Sequence, residues 1–193
     1  LPLADFSPLS ANIAEREVQV RVRVCAVGLN FKDVLNVLLP DEAAYVGKVP
    51  MPGADFAGTV QALPREYRGP LQEGDRVYGL AREGMLSSES VVPASCLARM
   101  PDGLTFEEAS QLPMVFLTVE HALNDLARLQ RGDRILIHSA AGGVGLAAIQ
   151  YAHRVGAEVF ATASVPKQAY LKSLGVKFVS TTRNEDVFLR EMR

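Results

Sequence analysis

The sequence predicts an α/β protein in two parts: a β-rich, barrel-like unit, then a partial parallel βαβαβ sheet. Three observations carry that expectation. The first half alternates short β-forming runs with glycine and proline. The second half alternates compact apolar strands with helical patterns. One of its strand-to-helix junctions, residues 138–145, consists almost entirely of small residues. The texture changes near residue 105, and the expected domains are 1–112, which is β-rich, and 113–193, the first half of a parallel sheet.

Val18-Gln19-Val20-Arg21-Val22-Arg23-Val24 alternates apolar and polar residues, the signature of a half-buried strand. Ala57-Gly58-Thr59-Val60, Asp75 to Leu80 and Ser90-Val91-Val92 follow, separated by Pro50, Pro52, Gly53, Pro64, Gly69, Pro70, Gly74 and Pro93. Short strands with such turns favour a small barrel or sandwich. One helix interrupts them at Phe31 to Leu38, where Phe31, Val34, Leu35 and Leu38 recur at helical spacing. Thr105-Phe106-Glu107-Glu108 reads as a capping box. Pro113 breaks the helix that it opens, and Met114 to Leu129 resumes a mostly helical pattern.

The parallel unit begins with the strand Arg134 to His138. A helix over about 143–155 follows, with Val144, Ala147, Ala148, Tyr151 and Val155 on one face and Gly156 as its terminator. Ala157 to Thr162 reads as the second strand, Pro166 opens a helix that Gly175 closes, and Val176 to Val179 reads as the third strand. Glu185 to Arg193 opens one more helix. Such an order implies right-handed crossovers. A half-unit of this kind ordinarily gains three more strands before both sheet faces are covered. The chain therefore reads as a fragment of a larger fold, truncated at its C-terminus. Alone it is expected to expose apolar sheet surface and to be insoluble or inactive.

Composition excludes several classes. The chain has 193 residues, 48% apolar and 22% charged, as in a soluble globular protein. Twenty basic against 22 acidic residues give a net charge of −2, so nothing favours nucleic acid or a membrane surface. No apolar run approaches the roughly eighteen residues of a membrane span, and the opening Leu-Pro-Leu-Ala-Asp-Phe lacks the basic start of a secretory signal. Cys25 and Cys96 sit among apolar neighbours and read as buried free thiols, consistent with a cytoplasmic location.

The strongest chemical signal is Ile135-Leu136-Ile137-His138-Ser139-Ala140-Ala141-Gly142-Gly143-Val144-Gly145. A strand runs into a turn of tiny residues that opens a helix, the context of a dinucleotide fingerprint with Ala140 in place of its first glycine. Gly142 lets the backbone approach a pyrophosphate, and Gly145 lets the helix pack close to the strand. The helix N-terminus then offers N–H groups to the phosphates. An NAD site places Asp or Glu at the end of the second strand. Here that stretch is Ala161-Thr162-Ala163-Ser164-Val165-Pro166-Lys167, without an acid. Ser164 and Lys167 suit a 2′-phosphate instead, so NADP(H) is expected, with Arg183 as a second basic candidate. A solvated surface lysine is the plain alternative for Lys167.

Cys25-Ala26-Val27-Gly28-Leu29-Asn30-Phe31-Lys32-Asp33-Val34-Leu35-Asn36 resembles the VGLNFRDVLN segment of enoyl reductase domains in modular polyketide synthases. Gly74 to Leu80, Pro113 to Thr118, His138 to Gly145 and Phe160 to Ser164 are similar in the same order. Those domains are members of the medium-chain dehydrogenase/reductase superfamily. The resemblance implies a GroES-like substrate domain, a Rossmann nucleotide-binding domain and an active site in the cleft between them. Alcohol dehydrogenases of the superfamily place a zinc-ligating Cys near Asn30 and Gly-His-Glu at Gly53-Ala54-Asp55, and this sequence has neither. Only two cysteines and three histidines are present, so no metal site is expected. His121 and His153 read as helix-surface residues, and His138 as bonding locally at its strand end.

By resemblance, NADPH delivers hydride to the β-carbon of a 2-enoyl thioester, with Asn30 and Thr118 near the nicotinamide and Ala140, Ala141, Gly142, Gly143, Val144 and Gly145 around the pyrophosphate. Read from the residues alone, Asn30 also suits a turn and Thr118 a bond to its own helix backbone. Relatives carry a proton-donating Tyr soon after the DVLN segment. The stretch Val37 to Tyr45 is longer here, which leaves Tyr45 either as a displaced donor or as a loop tyrosine. The expected partners are an acyl carrier protein-bound or pantetheine-bound enoyl thioester and neighbouring synthase domains, with a homodimer left open. A free-standing quinone or alkenal reductase and a catalytically silent structural domain remain as alternatives.

Overall fold

A computed structural model describes residues 18–38, 51–82, 84–181 and 185–191. These form two compact units that divide between Met114 and Val115. In the first, β1 (Gln19–Gly28), β2 (Asp55–Ala62), β3 (Arg76–Leu80), β4 (Glu89–Pro93) and β5 (Leu97–Arg99) build an antiparallel sheet in the order β4-β1-β2-β3-β5. Strand alternation decides its faces. Val20, Val22, Phe56, Val60, Val77 and Val92 pack with Leu71 and Met85 into one buried cluster. Ala57 joins Met100 and Ala109 in a second cluster, flanked by Tyr78, Leu104 and Phe106. β2 is the central strand and is buried on both faces.

The sheet corrects the expectation about the thiols. Cys25 is exposed and Cys96 half-buried. On β1 the buried side chains are Val20 and Val22, so the odd-numbered positions Arg21, Arg23 and Cys25 share the outward face. Apolar neighbours in sequence do not bury a residue whose register points it away from the core. β5, three residues long, had no distinct sequence signal.

The helix α1 (Phe31–Leu38) has the expected bounds, but its apolar positions are not its core face. Phe31 is 74% exposed, and Val34, Leu35 and Leu38 are exposed as well, whereas Asp33 is only 7% exposed. α2 (Phe106–Ala109) opens with the predicted capping box. Thr105 Oγ1 accepts from the Glu108 N–H at 3.2 Å, and the Glu108 carboxylate accepts from the Thr105 N–H at 2.9 Å.

The second unit begins in α3 (Pro113–Val119), separate from α2 as expected, with Pro113 as its first residue. A π-helical segment (Glu120–Leu126) continues it, with Ala127 N–H bonding the Ala122 carbonyl and the Tyr151 hydroxyl donating to Asn124 Oδ1 at 3.1 Å. A period-3.6 pattern does not distinguish such a segment from an ordinary helix. Then β6 (Arg134–Ile137), α4 (Gly143–Val155), β7 (Glu158–Thr162), α5 (Val165–Ser173) and β8 (Phe178–Ser180) alternate, before α6 (Glu185–Glu191). The three strands form a parallel sheet in the order β6-β7-β8.

Ile137, Val159, Ala161 and Val179 pack with Ala147, Ala148, Ile149, Tyr151, Ala152 and Leu171, so α4 and α5 cover one face of that sheet. Val144, expected on the buried side of α4, is 45% exposed. Leu136, Phe160 and Phe178 lie in register on the opposite face, with the two rings stacked at 4.5 Å between centroids. Leu136 is 43% and Phe178 36% exposed there. Among the described residues, no helix is long and apolar enough to cross a membrane.

Candidate functional site

The C-terminal ends of β6 and β7 feed the glycine-rich turn and α5, and a cleft of about 320 Å³ opens there. Ser139, Ala141, Gly142 and Thr162 line one part of it, and Ala163, Ser164, Lys167 and Thr181 the rest. In open parallel sheets this end of the strands is where ligands bind. Of those eight residues, only Lys167 carries a charge.

Local bonding fixes the turn. Ala140 is completely buried, and its N–H donates to the Thr162 carbonyl at 2.9 Å, tying the turn to the neighbouring strand. Ser139 adopts φ +50°, a left-handed conformation that a residue with a side chain rarely takes. That conformation lets its carbonyl accept the Gly142 N–H at 2.9 Å. The Leu146 N–H then bonds Gly142 O at 2.8 Å and closes the first turn of α4. The N–H groups of Gly143, Val144 and Gly145 precede that bond and have no acceptor within the helix.

Gly145 shows why the spacing is demanded. A Cβ there would lie 2.6 Å from both Ala140 Cα and Ala140 O, so any side chain would drive the helix off the strand end. A Cβ on Gly142 would meet only Ser139 O, at 3.3 Å, a tight contact that a shift of the turn would relieve. Ala140 is therefore the seat on which Gly145 rests. Gly156 ends α4 in the left-handed conformation expected of it, at φ +82°.

Ser164 caps α5 through its backbone, whose carbonyl accepts the Lys167 N–H at 2.9 Å, while its side chain makes no capping bond. Both residues line the cleft, Ser164 half-buried and Lys167 exposed. Thr162, absent from the expected residues, proves to be a hub. Its Oγ1 lies 3.2 Å from His138 Nδ1 and accepts the Ser139 N–H at 3.4 Å. The bond of His138 thus crosses to the next strand. Its only sequence signal was the place of Thr162 at a strand end. Arg183 and Tyr45 lie outside the described residues.

Thr118 is exposed near the end of α3, within the second unit. Asn30 belongs to the first unit and is gripped twice. Its N–H donates to Asp33 Oδ2 at 2.7 Å, and its side-chain Nδ2 donates to Asp55 Oδ2 at 3.0 Å. Asp55 Oδ1 accepts the Met114 N–H at 2.9 Å, and Asp33 Oδ1 the Gly53 N–H at 2.8 Å. Sequence reading missed both carboxylates as supporting residues.

Burial pushes the Asp55 carboxyl above its ordinary 3.8, a rise that the bonds from Asn30 and Met114 oppose and that nearby Asp33 reinforces. The sign follows from linkage. A carboxyl whose folded pKa is raised binds its proton more tightly in the folded chain, so its ionised form lowers stability at neutral pH. Among the described residues, no three or more His, Cys, Asp or Glu side chains gather as a metal-ligand set.

Comparison with known proteins places this geometry. The family described as the alcohol dehydrogenase GroES-like domain matches residues 16–102. The spectinabilin polyketide synthase system protein NorB of Streptomyces orinoci is 46% identical over 160 residues, covering 82% of this chain and 7% of that protein. Among solved structures, the CurK enoyl reductase superposes with a TM-score of 0.81 at 40% identity, covering 89% of this chain and 53% of that one. The quinone oxidoreductase of Thermus thermophilus, solved also as its complex with NADPH, gives 0.69 at 36% identity, over 84% of this chain and 51% of that one. The chain thus spans about half the length of these structures and a small part of the synthase. By its matched domain, its two sheets and these likenesses, the chain belongs to the medium-chain dehydrogenase/reductase superfamily, in the group of enoyl reductases from modular polyketide synthases.

Proposed function

We propose that the protein reduces a 2-enoyl thioester to the saturated acyl thioester with NADPH, within a polyketide-forming synthase. The observation that carries this reading is the cleft at the ends of β6 and β7, floored by a turn in which Gly145 leaves no room for a side chain. The residues fit a dinucleotide. The N–H groups of Gly143, Val144 and Gly145, in the first turn of α4, suit a pyrophosphate, with Ala141 and Gly142 beside them and Ala140 beneath. Lys167 and the Ser164 hydroxyl suit a 2′-phosphate, and no acid among the described cleft residues would repel it. Arg183 is a further cation for the same phosphate.

When bound, NADPH supplies a hydride, which a 2-enoyl thioester accepts at the β-carbon because its carbonyl draws electrons from the double bond. Asn30 and Thr118 are assigned to the nicotinamide end, and Tyr45 to the proton for the α-carbon. Positioning supplies much of the rate in such a reaction, so two carboxylates on one asparagine are consistent with a precise acceptor. The substrate is carried on an acyl carrier protein or pantetheine, and neighbouring synthase domains deliver it. Membership in a group drawn from modular synthases supports that choice.

The intact protein is expected to bind NADPH and to oxidise it with crotonyl-pantetheine much faster than with a free quinone. Faster turnover of the quinone would assign it to the free-standing quinone reductases, whose architecture it shares. NADPH binding without turnover of either compound would make it a silent domain.

A further inference from the structure

We infer that Asp55 is a positioning residue: it fixes which end of the Asn30 amide faces a ligand, and it is retained in the core for that task rather than for stability. This rests on the proposed place of Asn30 at the nicotinamide nucleotide. Sheet register brings the groups together. Asp55 opens β2 directly opposite Gly28, the last residue of β1, and Asn30 lies two residues further on. A Cβ at Gly28 would strike the Ser110 carbonyl and come within 3.0 Å of the Asp55 Cβ, so the glycine lets that carbonyl and the base of the Asp55 side chain pack against the end of β1.

The chemistry of the pair sets the direction. An ionised carboxylate only accepts hydrogen bonds. Opposite Asp55 Oδ2, therefore, Asn30 must present Nδ2, at 3.0 Å. Its Oδ1 is turned the other way and offered as an acceptor for a hydroxyl or N–H of the bound nucleotide. The backbone of the same residue is held independently by Asp33, so the Asp55 bond is left to control the amide. An amide at position 55 that keeps its oxygen on the Met114 N–H turns its own NH2 toward Asn30, which would then have to present Oδ1 there and face the ligand with Nδ2.

Asp55 is 2% exposed and Asp33 7%, and among the described residues neither has an ion-pair partner. Two buried carboxylates without a cation are a costly way to hold a loop. A residue kept only for packing would do better neutral. The raised pKa of Asp55 agrees with that cost.

The test is a double-mutant cycle in the intact protein with Asp55→Asn, Asn30→Ala and the pair, read by kcat and KM for NADPH oxidation, NADPH affinity and Tm. Each single change is expected to lower kcat/KM by about tenfold to a hundredfold. The double variant should be no worse than the poorer single one, because Asp55 acts through Asn30. Asp55→Asn should melt no lower than wild type. Independent losses that multiply in the double variant would overturn the inference, and so would a markedly lower Tm for Asp55→Asn. A wild-type protein that fails to bind NADPH would instead remove the proposed function, and the melting comparison then decides the role of Asp55 alone.

Discussion

Gly145→Val is expected to weaken NADPH binding by about tenfold to a hundredfold and to lower Tm, the largest loss from any single change in the glycine-rich turn. The cause is steric and lies in the backbone. A Cβ at position 145 would sit 2.6 Å from Ala140 Cα and Ala140 O, and those atoms cannot swing aside as a side chain might. Ala140 is itself buried and tied to Thr162 O at 2.9 Å, so the strand end does not yield. The helix must move instead, and its first-turn N–H groups move with it. Overpacking of this kind costs about 1–3 kcal/mol, and every 1.4 kcal/mol or so is tenfold in affinity. Gly142→Ala is the control. Its Cβ meets only Ser139 O, at 3.3 Å against 2.6 Å at Gly145, so Tm should fall far less while the methyl group crowds the phosphate. Equal Tm losses in the two variants would show that the turn is packed for the fold and not shaped for a ligand.

Lys167→Glu should lower NADPH affinity by about tenfold to a hundredfold and leave NADH affinity nearly unchanged, as titration with each nucleotide would read. Among the described residues, Lys167 is the one charged residue lining the cleft, so its reversal inverts the local field where a 2′-phosphate would lie. The side chain is exposed, and the effect should therefore shrink as salt is raised. NADH lacks the phosphate and has little to lose. Parallel losses for both nucleotides would mean that the lysine supports the shared part of the ligand, or the fold of α5, rather than reading the phosphate.

Much of the architecture was legible because its signals were local and redundant. The alternation from Val18 to Val24 set β1, the Thr105–Glu108 box set α2, and the order of small residues after Ile137 set the turn into α4. What escaped depended on partners far along the chain. Cys25 looked apolar by its neighbours, yet the pleat turns it outward with Arg21 and Arg23. The regular apolar spacing of α1 identified a helix but not which face would be covered, and the residue it buries is Asp33. Asp55 and Asn30 stand 25 positions apart, and only the pairing of β1 with β2 makes them neighbours. Thr162 became visible as a hub only once β7 lay beside β6. The π-helical segment at Glu120–Leu126 has the composition of an ordinary helix, and its Tyr151–Asn124 bond joins residues 27 positions apart, which no local pattern relates.

A crystal structure of the intact protein with NADPH bound bears most directly on the central claim. The pyrophosphate oxygens should lie about 3 Å from the N–H groups of Gly143, Val144 and Gly145, with the 2′-phosphate beside Ser164 and Lys167. A nucleotide bound elsewhere, or a side chain occupying the space above Gly142 and Gly143, would contradict it.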